Sequence, residues 1–156
     1  MMSRVKKGLV AGLVATVVVS VLEMINLLVG QWFTPFPGII AQMIGMPGNL
    51  AVGWIAHVVI GTLVLGSLFG ILCPRLPTDT WGTKGIAFAV GAFVVLITGI
   101  ILMGDPLFFS GSDGFGTIAW LLVTNAVFGL TLGSVYGRLV ERENRAARLM
   151  GGIPAH

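Results

Sequence analysis

Four stretches of this chain, residues 8–30, 50–72, 85–103 and 117–140, run through apolar residues almost without interruption. Each is long enough to cross a hydrocarbon layer of about 30 Å, which takes about 20 residues of α-helix. In lipid every backbone polar group must be paired inside the protein, and a single chain segment can do that only as a helix. The fold expected is therefore all-α: one integral membrane domain over residues 1–156, a four-transmembrane-helix bundle with a tail from 141 to 156. Composition agrees, because 10% of the residues are charged, against about a quarter in an ordinary soluble domain.

Charge placement orients the spans. Arg4, Lys6 and Lys7 precede the first; Arg75 and Lys84 lie between the second and third; Arg138, Arg142, Arg145 and Arg148 end or follow the fourth. All nine cations thus fall on one side, and the positive-inside rule makes that side, with both termini, cytoplasmic. The same placement argues against nucleic acid as a partner, since the cations flank apolar spans. The first span follows basic residues as a signal peptide does. Its apolar run is too long, however, and no small-x-small cleavage site precedes Glu23, so it reads as a retained helix. Cys73 is the single cysteine, which excludes an intrachain disulfide and a cysteine-cluster metal site.

Breaks separate the spans: Pro35, Pro37 and Pro47 in the first connection, Pro74, Pro77 and Asp79 in the second, Asp105-Pro106 in the third. The first outer loop is long and nearly as apolar as the spans. Trp32, Phe33 and Phe36 suit an aromatic belt, and residues 39–44 read as a short helix lying in the interface. In the second outer loop Phe108, Phe109 and Phe115 alternate with turn residues. Both loops read as caps on the bundle, or as a docking surface for another membrane subunit.

Small residues every fourth position let helices approach closely in lipid. Gly129, Gly133 and Gly137 form such a GxxxG series in the fourth span. The second span carries Gly53, His57 and Gly61 on one face and Gly66 and Gly70 on another, which implies two close neighbours. A homodimer would use the same device. The chain also reads as one helical hairpin used twice, in parallel orientation: Lys7-Gly8 answers Lys84-Gly85, and His57-x3-Gly61 answers Asn125-x3-Gly129.

Polar groups in a membrane are costly and need an explanation. Glu23 should lie about 10 Å below the outer surface, and His57 and Asn125 about 12 Å below it. Asn26 shares a face with Glu23, while Thr98 and Thr124 fall at similar depth. Glu23, Asn26, His57, Thr98 and Asn125 thus define a candidate intramembrane polar layer drawn from all four helices. One reading is mutual satisfaction, with Glu23 bonded to His57 and both asparagines nearby. Another is a buried acid–imidazole pair that exchanges a proton or holds a cation. A soft-ion site using Met24, Met43, Met46 and Met103 has no ligand pair of diagnostic spacing, so neither a metal nor another cofactor is expected. Asp105 and Asp113 read as helix-stop and turn residues. With no HExxH, phosphate loop or Ser-His-Asp set, the chain reads as non-catalytic. The arginine-rich tail reads as a helical extension able to touch anionic lipid.

The segments AVGWIAHVVIGTLVLGSLFGILCPRLP, KGIAFAVGAFVV and NAVFGLTLGSVYGRL resemble a family of four-helix bacterial and archaeal membrane proteins defined by a domain of unknown function. The resemblance runs from Lys7 to Leu139 and centres on Gly53-Trp54-x2-His57-x3-Gly61 and Phe128-Gly129-x3-Gly133-x2-Tyr136-Gly137. It implies a prokaryotic plasma-membrane location and the four-helix fold, without an activity. Members of that family carry a second histidine where this chain has Asn125, which weakens a two-histidine cofactor site here. It also points towards an accessory role beside respiratory oxidase components. The function expected is an accessory, assembly or scaffold subunit of a membrane complex. The alternative is a small transporter or proton-coupled channel built on Glu23 and His57.

Overall fold

The computed structural model describes residues 2–30, 32–102 and 114–151, with side chains as far as Leu149. Met103, Asp105, Phe108, Phe109 and Asp113, and with them most of the second outer loop, lie outside the described residues. The architecture is all-helical: α1 (Arg4–Val29), α2 (Phe36–Met43), α3 (Leu50–Val59), a π-helical turn (Ile60–Leu65), α4 (Gly66–Leu72), a 3₁₀ turn (Cys73–Arg75), α5 (Trp81–Leu102) and α6 (Gly114–Gly151). From α3 to the 3₁₀ turn the chain is one rod, Leu50–Arg75. Among the described residues this rod, α1, α5 and α6 are long and apolar enough to cross a membrane.

Local chemistry explains the helix ends. The Ser3 side chain accepts from Lys6 N–H at the start of α1, and that of Asn49 accepts from Val52 N–H at the start of α3. Helix α5 begins at Trp81, four residues before the expected span, because the Thr80 side chain and carbonyl bond Thr83 N–H and Lys84 N–H. Helix α6 passes residue 140 without a break. Many large apolar side chains point outward (Val17, Val21, Leu63, Val94 and Val95 are each more than half exposed), while the inside holds small and polar side chains together with a few large ones such as Phe69, Leu121 and Leu132. That is the arrangement expected when the solvent is hydrocarbon.

Helix α1 and the rod pack as an antiparallel seam of small residues. A Cβ at Gly8 would strike the Gly66 carbonyl oxygen, and one at Gly12 would come within 2.9 Å of the Gly61 oxygen. Further along, Gly61 abuts the Thr16 side chain, and His57 meets Ser20 at 3.2 Å. At the other end a Cβ at Gly70 would run into the backbone of Arg4.

This seam corrects the expectation of two glycine faces on the second span. Five residues separate Gly61 from Gly66, and five α-helical residues would rotate Gly66 about 140° away. The π-helical turn between them absorbs the extra residue. His57, Gly61, Gly66 and Gly70 therefore all meet α1. The Ser67 hydroxyl donates to the carbonyls of Leu63 and Val64 in the wide turn.

The second seam joins α5 to α6. A Cβ at Gly133 would strike the Trp81 carbonyl, one at Gly85 the Gly129 carbonyl, and one at Gly129 would come within 2.6 Å of Ala89 Cβ. Trp81, Gly85 and Ala89 thus occupy the places of Arg4, Gly8 and Gly12, and Gly129 and Gly133 those of Gly66 and Gly70. One packing pattern is used twice, in a register that differs from the one expected. Gly129 answers Gly66 rather than Gly61, so Asn125 is not the counterpart of His57. The extra residue of the π-turn hides this register from sequence alignment.

At the end where α1 begins, an aromatic cluster joins the hairpins: the Phe69 ring lies 5.3 Å from those of Phe88 and Tyr136. Lys84 Nζ donates to the carbonyls of Cys73 and Leu76, both at 3.2 Å, and so caps the rod where Pro74 breaks it. Lys7 Nζ pairs with Glu143 at 2.6 Å, and Met2 N–H donates to the other oxygen of the same carboxylate. The Lys7 ammonium, and then Met2 N–H, hold the Glu143 carboxyl below its ordinary value of 4.5. A depressed carboxyl stabilises the fold above its ordinary range and loses that contribution as the pH falls through the folded value. The thermal stability of the wild type in detergent should therefore exceed that of Glu143→Gln at neutral pH, and the two should converge below pH 4.5.

The seams make a sharper prediction. Gly129→Val should lower stability by about 1–3 kcal/mol through overpacking against α5. Gly91→Ala, where a Cβ meets open space, should stay within about 0.5 kcal/mol of wild type. Unfolding followed by circular dichroism in one detergent compares them, and equal stability would contradict the packing described.

Candidate functional site

Beyond Ser20 the polar face of α1 continues with Glu23 and Asn26, at 0% and 1% exposure. Both serve the connection that follows. After Gly30 the chain turns back into the bundle, so that the N–H of Phe36, the first residue of α2, lies 3.2 Å from Glu23 Oε2. Glu23 is six residues before the end of α1, so this point is about 9 Å inside that end. The segment is re-entrant: it descends through residues 32–35, and α2 climbs back out. This corrects the expectation of a helix lying flat in the interface. Pro37, Ile39, Ile40 and Ala41 are buried; Gly53 of α3 abuts the Pro37 carbonyl, and Ile39 packs with Ile100 and Leu121.

Open backbone at such depth survives only if its polar groups are paired. Phe33 N–H donates to Asn26 Oδ1 at 3.2 Å, and the Phe33 carbonyl accepts from Asn26 Nδ2 at 2.9 Å. Thr34 N–H donates to Thr117 Oγ1 at 3.3 Å. Residues 35 and 37 are proline and have no N–H to satisfy. Phe36 N–H goes to Glu23, and Gly38 and Ile39 N–H go to the Pro35 carbonyl at 2.9 and 3.3 Å. Every backbone donor from Phe33 to Ile39 is thus bonded or absent. The second carboxylate oxygen, Glu23 Oε1, accepts from Trp120 Nε1 at 2.9 Å, and the Trp120 ring stacks on Phe33 at 5.3 Å. A carboxylate at the first N–H of α2 also meets the positive end of that helix.

The remaining candidates divide. His57 is 5% exposed and bonds Ser20 Oγ, with the Phe36 and Trp54 rings edge-on at 5.5 and 5.7 Å. No bond joins His57 to Glu23; Phe36 touches both, through its ring and its N–H. Thr98 faces outward and donates to its own helix at Val94. Asn125 is half-buried and bonds back to the Leu121 carbonyl. Thr124 is buried and donates to the carbonyls of Trp120 and Leu121. The layer is therefore built from α1, α3, α6 and the re-entrant segment, without α5. Sequence reasoning missed Ser20, Thr117 and Trp120. The signal for them was the loop itself, whose apolar length and Pro-Phe-Pro core suit backbone that must be buried.

Met24 and Met46 are exposed and Met43 lies against α5, so the described methionines do not converge on His57. Among the described residues no group of three or more His, Cys, Asp or Glu side chains comes together to hold a metal.

The model of a family of unknown function (DUF6789) matches residues 2–147. The chain belongs to that family. The matched region includes the re-entrant segment and the residues of α1 and α6 that bond it. No curated protein and no solved structure matches the chain.

Trp120→Phe keeps a ring on Phe33 but strips Glu23 Oε1 of its donor. A buried acceptor left unpaired costs about 1–3 kcal/mol, and that loss should appear in detergent unfolding. In a Cys73→Ser background, a cysteine at Ala41 should also label faster in the Trp120→Phe variant. Trp54→Phe, which leaves the Glu23 bonds in place, should change neither measurement.

Proposed function

We propose that this chain is a non-catalytic, multi-pass protein of the prokaryotic plasma membrane, with both termini cytoplasmic, that serves as an accessory, assembly or scaffold subunit of a membrane complex. One observation carries the reading: both carboxylate oxygens of Glu23 and both polar atoms of Asn26 are spent on the protein's own re-entrant segment and the Trp120 indole that packs on it. Groups used in this way hold a shape, and a held shape is what a partner recognises. The placement of all nine Lys and Arg residues supports the orientation. The partner is another membrane subunit or a second copy of the chain. The resemblance noted above favours a respiratory oxidase component.

A small transporter or proton-coupled channel built on Glu23 and His57 is the rival. It needs those groups to exchange a ligand, and the position of Phe36 between them tells against a direct proton path. Purification in several mild detergents separates the two readings. Recovery with a stoichiometric membrane partner is the expected result, whereas a solitary monomer in every detergent would count against a subunit role. For the rival, Glu23→Gln and His57→Ala would abolish solute or proton flux in vesicles while leaving unfolding unchanged. The accessory reading expects no flux in the wild type.

A further inference from the structure

Helix α6 runs well beyond the bundle, and its two faces there are unlike. Glu143 is taken up by Lys7 and Met2. Elsewhere on the extension, Arg138, Glu141, Arg142 and Arg145 line an open groove of about 250 Å³. All four are exposed, and none makes an ion pair with a described residue. Three guanidinium groups thus stand around one carboxylate, an excess of positive charge that no ion pair with a described residue offsets.

We propose that this groove binds the phosphate headgroup of an anionic phospholipid, through Arg138, Arg142 and Arg145. Depth supports a lipid over a protein as the source of charge. Arg138 directly follows Gly137, which packs on the side chain of Trp81, the first residue of α5. It therefore sits where the apolar part of the bundle ends, beside an aromatic residue of the kind that marks a membrane surface. The headgroup layer beyond that level is roughly 5–8 Å thick on each face, and Arg142 lies about 6 Å past Arg138 by helical rise. Side chains on a helix lean towards its N-terminus, which for α6 is back towards the bilayer. Arg145, the farthest of the three, is thereby aimed at the headgroups. The forked guanidinium matches phosphate oxygens two at a time. Glu141 opposes the anion and leaves a net charge of about +2 in the groove. The proposal rests on the four helices spanning a bilayer and does not depend on the accessory role.

Native mass spectrometry of the full chain, with phosphatidylglycerol or phosphatidylcholine added to delipidated protein, provides the test. The wild type should retain phosphatidylglycerol in preference, and R138Q/R142Q/R145Q should lose that preference by a factor of about five for each arginine. Arg148→Gln, outside the groove, should keep it. Equal retention by the wild type and the triple variant would overturn the proposal. So would displacement of the lipid by inorganic phosphate at matched concentration, which would assign the groove to a free anion. Should the triple variant fail to fold, Arg142→Gln and Arg142→Lys carry the same test, with lysine expected to retain part of the preference.

Discussion

A peptide N–H in hydrocarbon has no water to turn to, and leaving it unpaired costs several kcal/mol. Long helices meet this constraint automatically. The re-entrant segment does not, and most of the polar chemistry in the bundle follows from it. Asn26 acts as a surrogate peptide for Phe33, Thr117 accepts from Thr34, and Glu23 accepts from the first N–H of α2, while two prolines remove donors that would otherwise need partners. Within the row of intramembrane polar residues, Glu23 and Asn26 cap open backbone, whereas His57 bonds the Ser20 side chain.

The segment also completes the bundle. Glycine seams hold each hairpin together, and the hairpins meet through the Phe69 aromatic cluster and the contact of α1 with α6. On the side away from the start of α1, α2 packs between α3 and α5, with Ile39 against Ile100 and the Pro37 carbonyl against Gly53. Polar pins and apolar filling are properties of the same ten or so residues.

Four spans and an all-helical fold were legible because apolar length is a direct consequence of bilayer thickness. Glu23, Asn26 and His57 were legible as buried because carboxyl, amide and imidazole groups are rare in such stretches. Their partners were not. Glu23 and His57 were expected to bond each other because sequence reasoning pairs side chains with side chains. Their partners are the Phe36 N–H and the Trp120 indole for one, and Ser20 with the Thr16 backbone for the other. A backbone partner has no sequence signature of its own. Thr98 was placed in the layer by depth alone, and depth does not say which way a residue faces; it points outward and satisfies its hydroxyl at Val94. The shared face of Gly61, Gly66 and Gly70 was obscured by a single surplus residue, which no count of four-residue spacings can detect.

That surplus residue sets the phase between two parts of one rod. Below the π-turn, Gly66 and Gly70 are clocked to the backbone of α1. Above it, Gly53 and His57 are clocked to the re-entrant segment and Ser20. In an uninterrupted α-helix the surplus residue would set these two alignments about 100° apart, and a sequence could optimise one only at the expense of the other. A wide turn between them acts as a coupling that takes up the mismatch. The glycine zipper and the polar cap are then free to diverge separately, within a helix that remains continuous from Leu50 to Arg75.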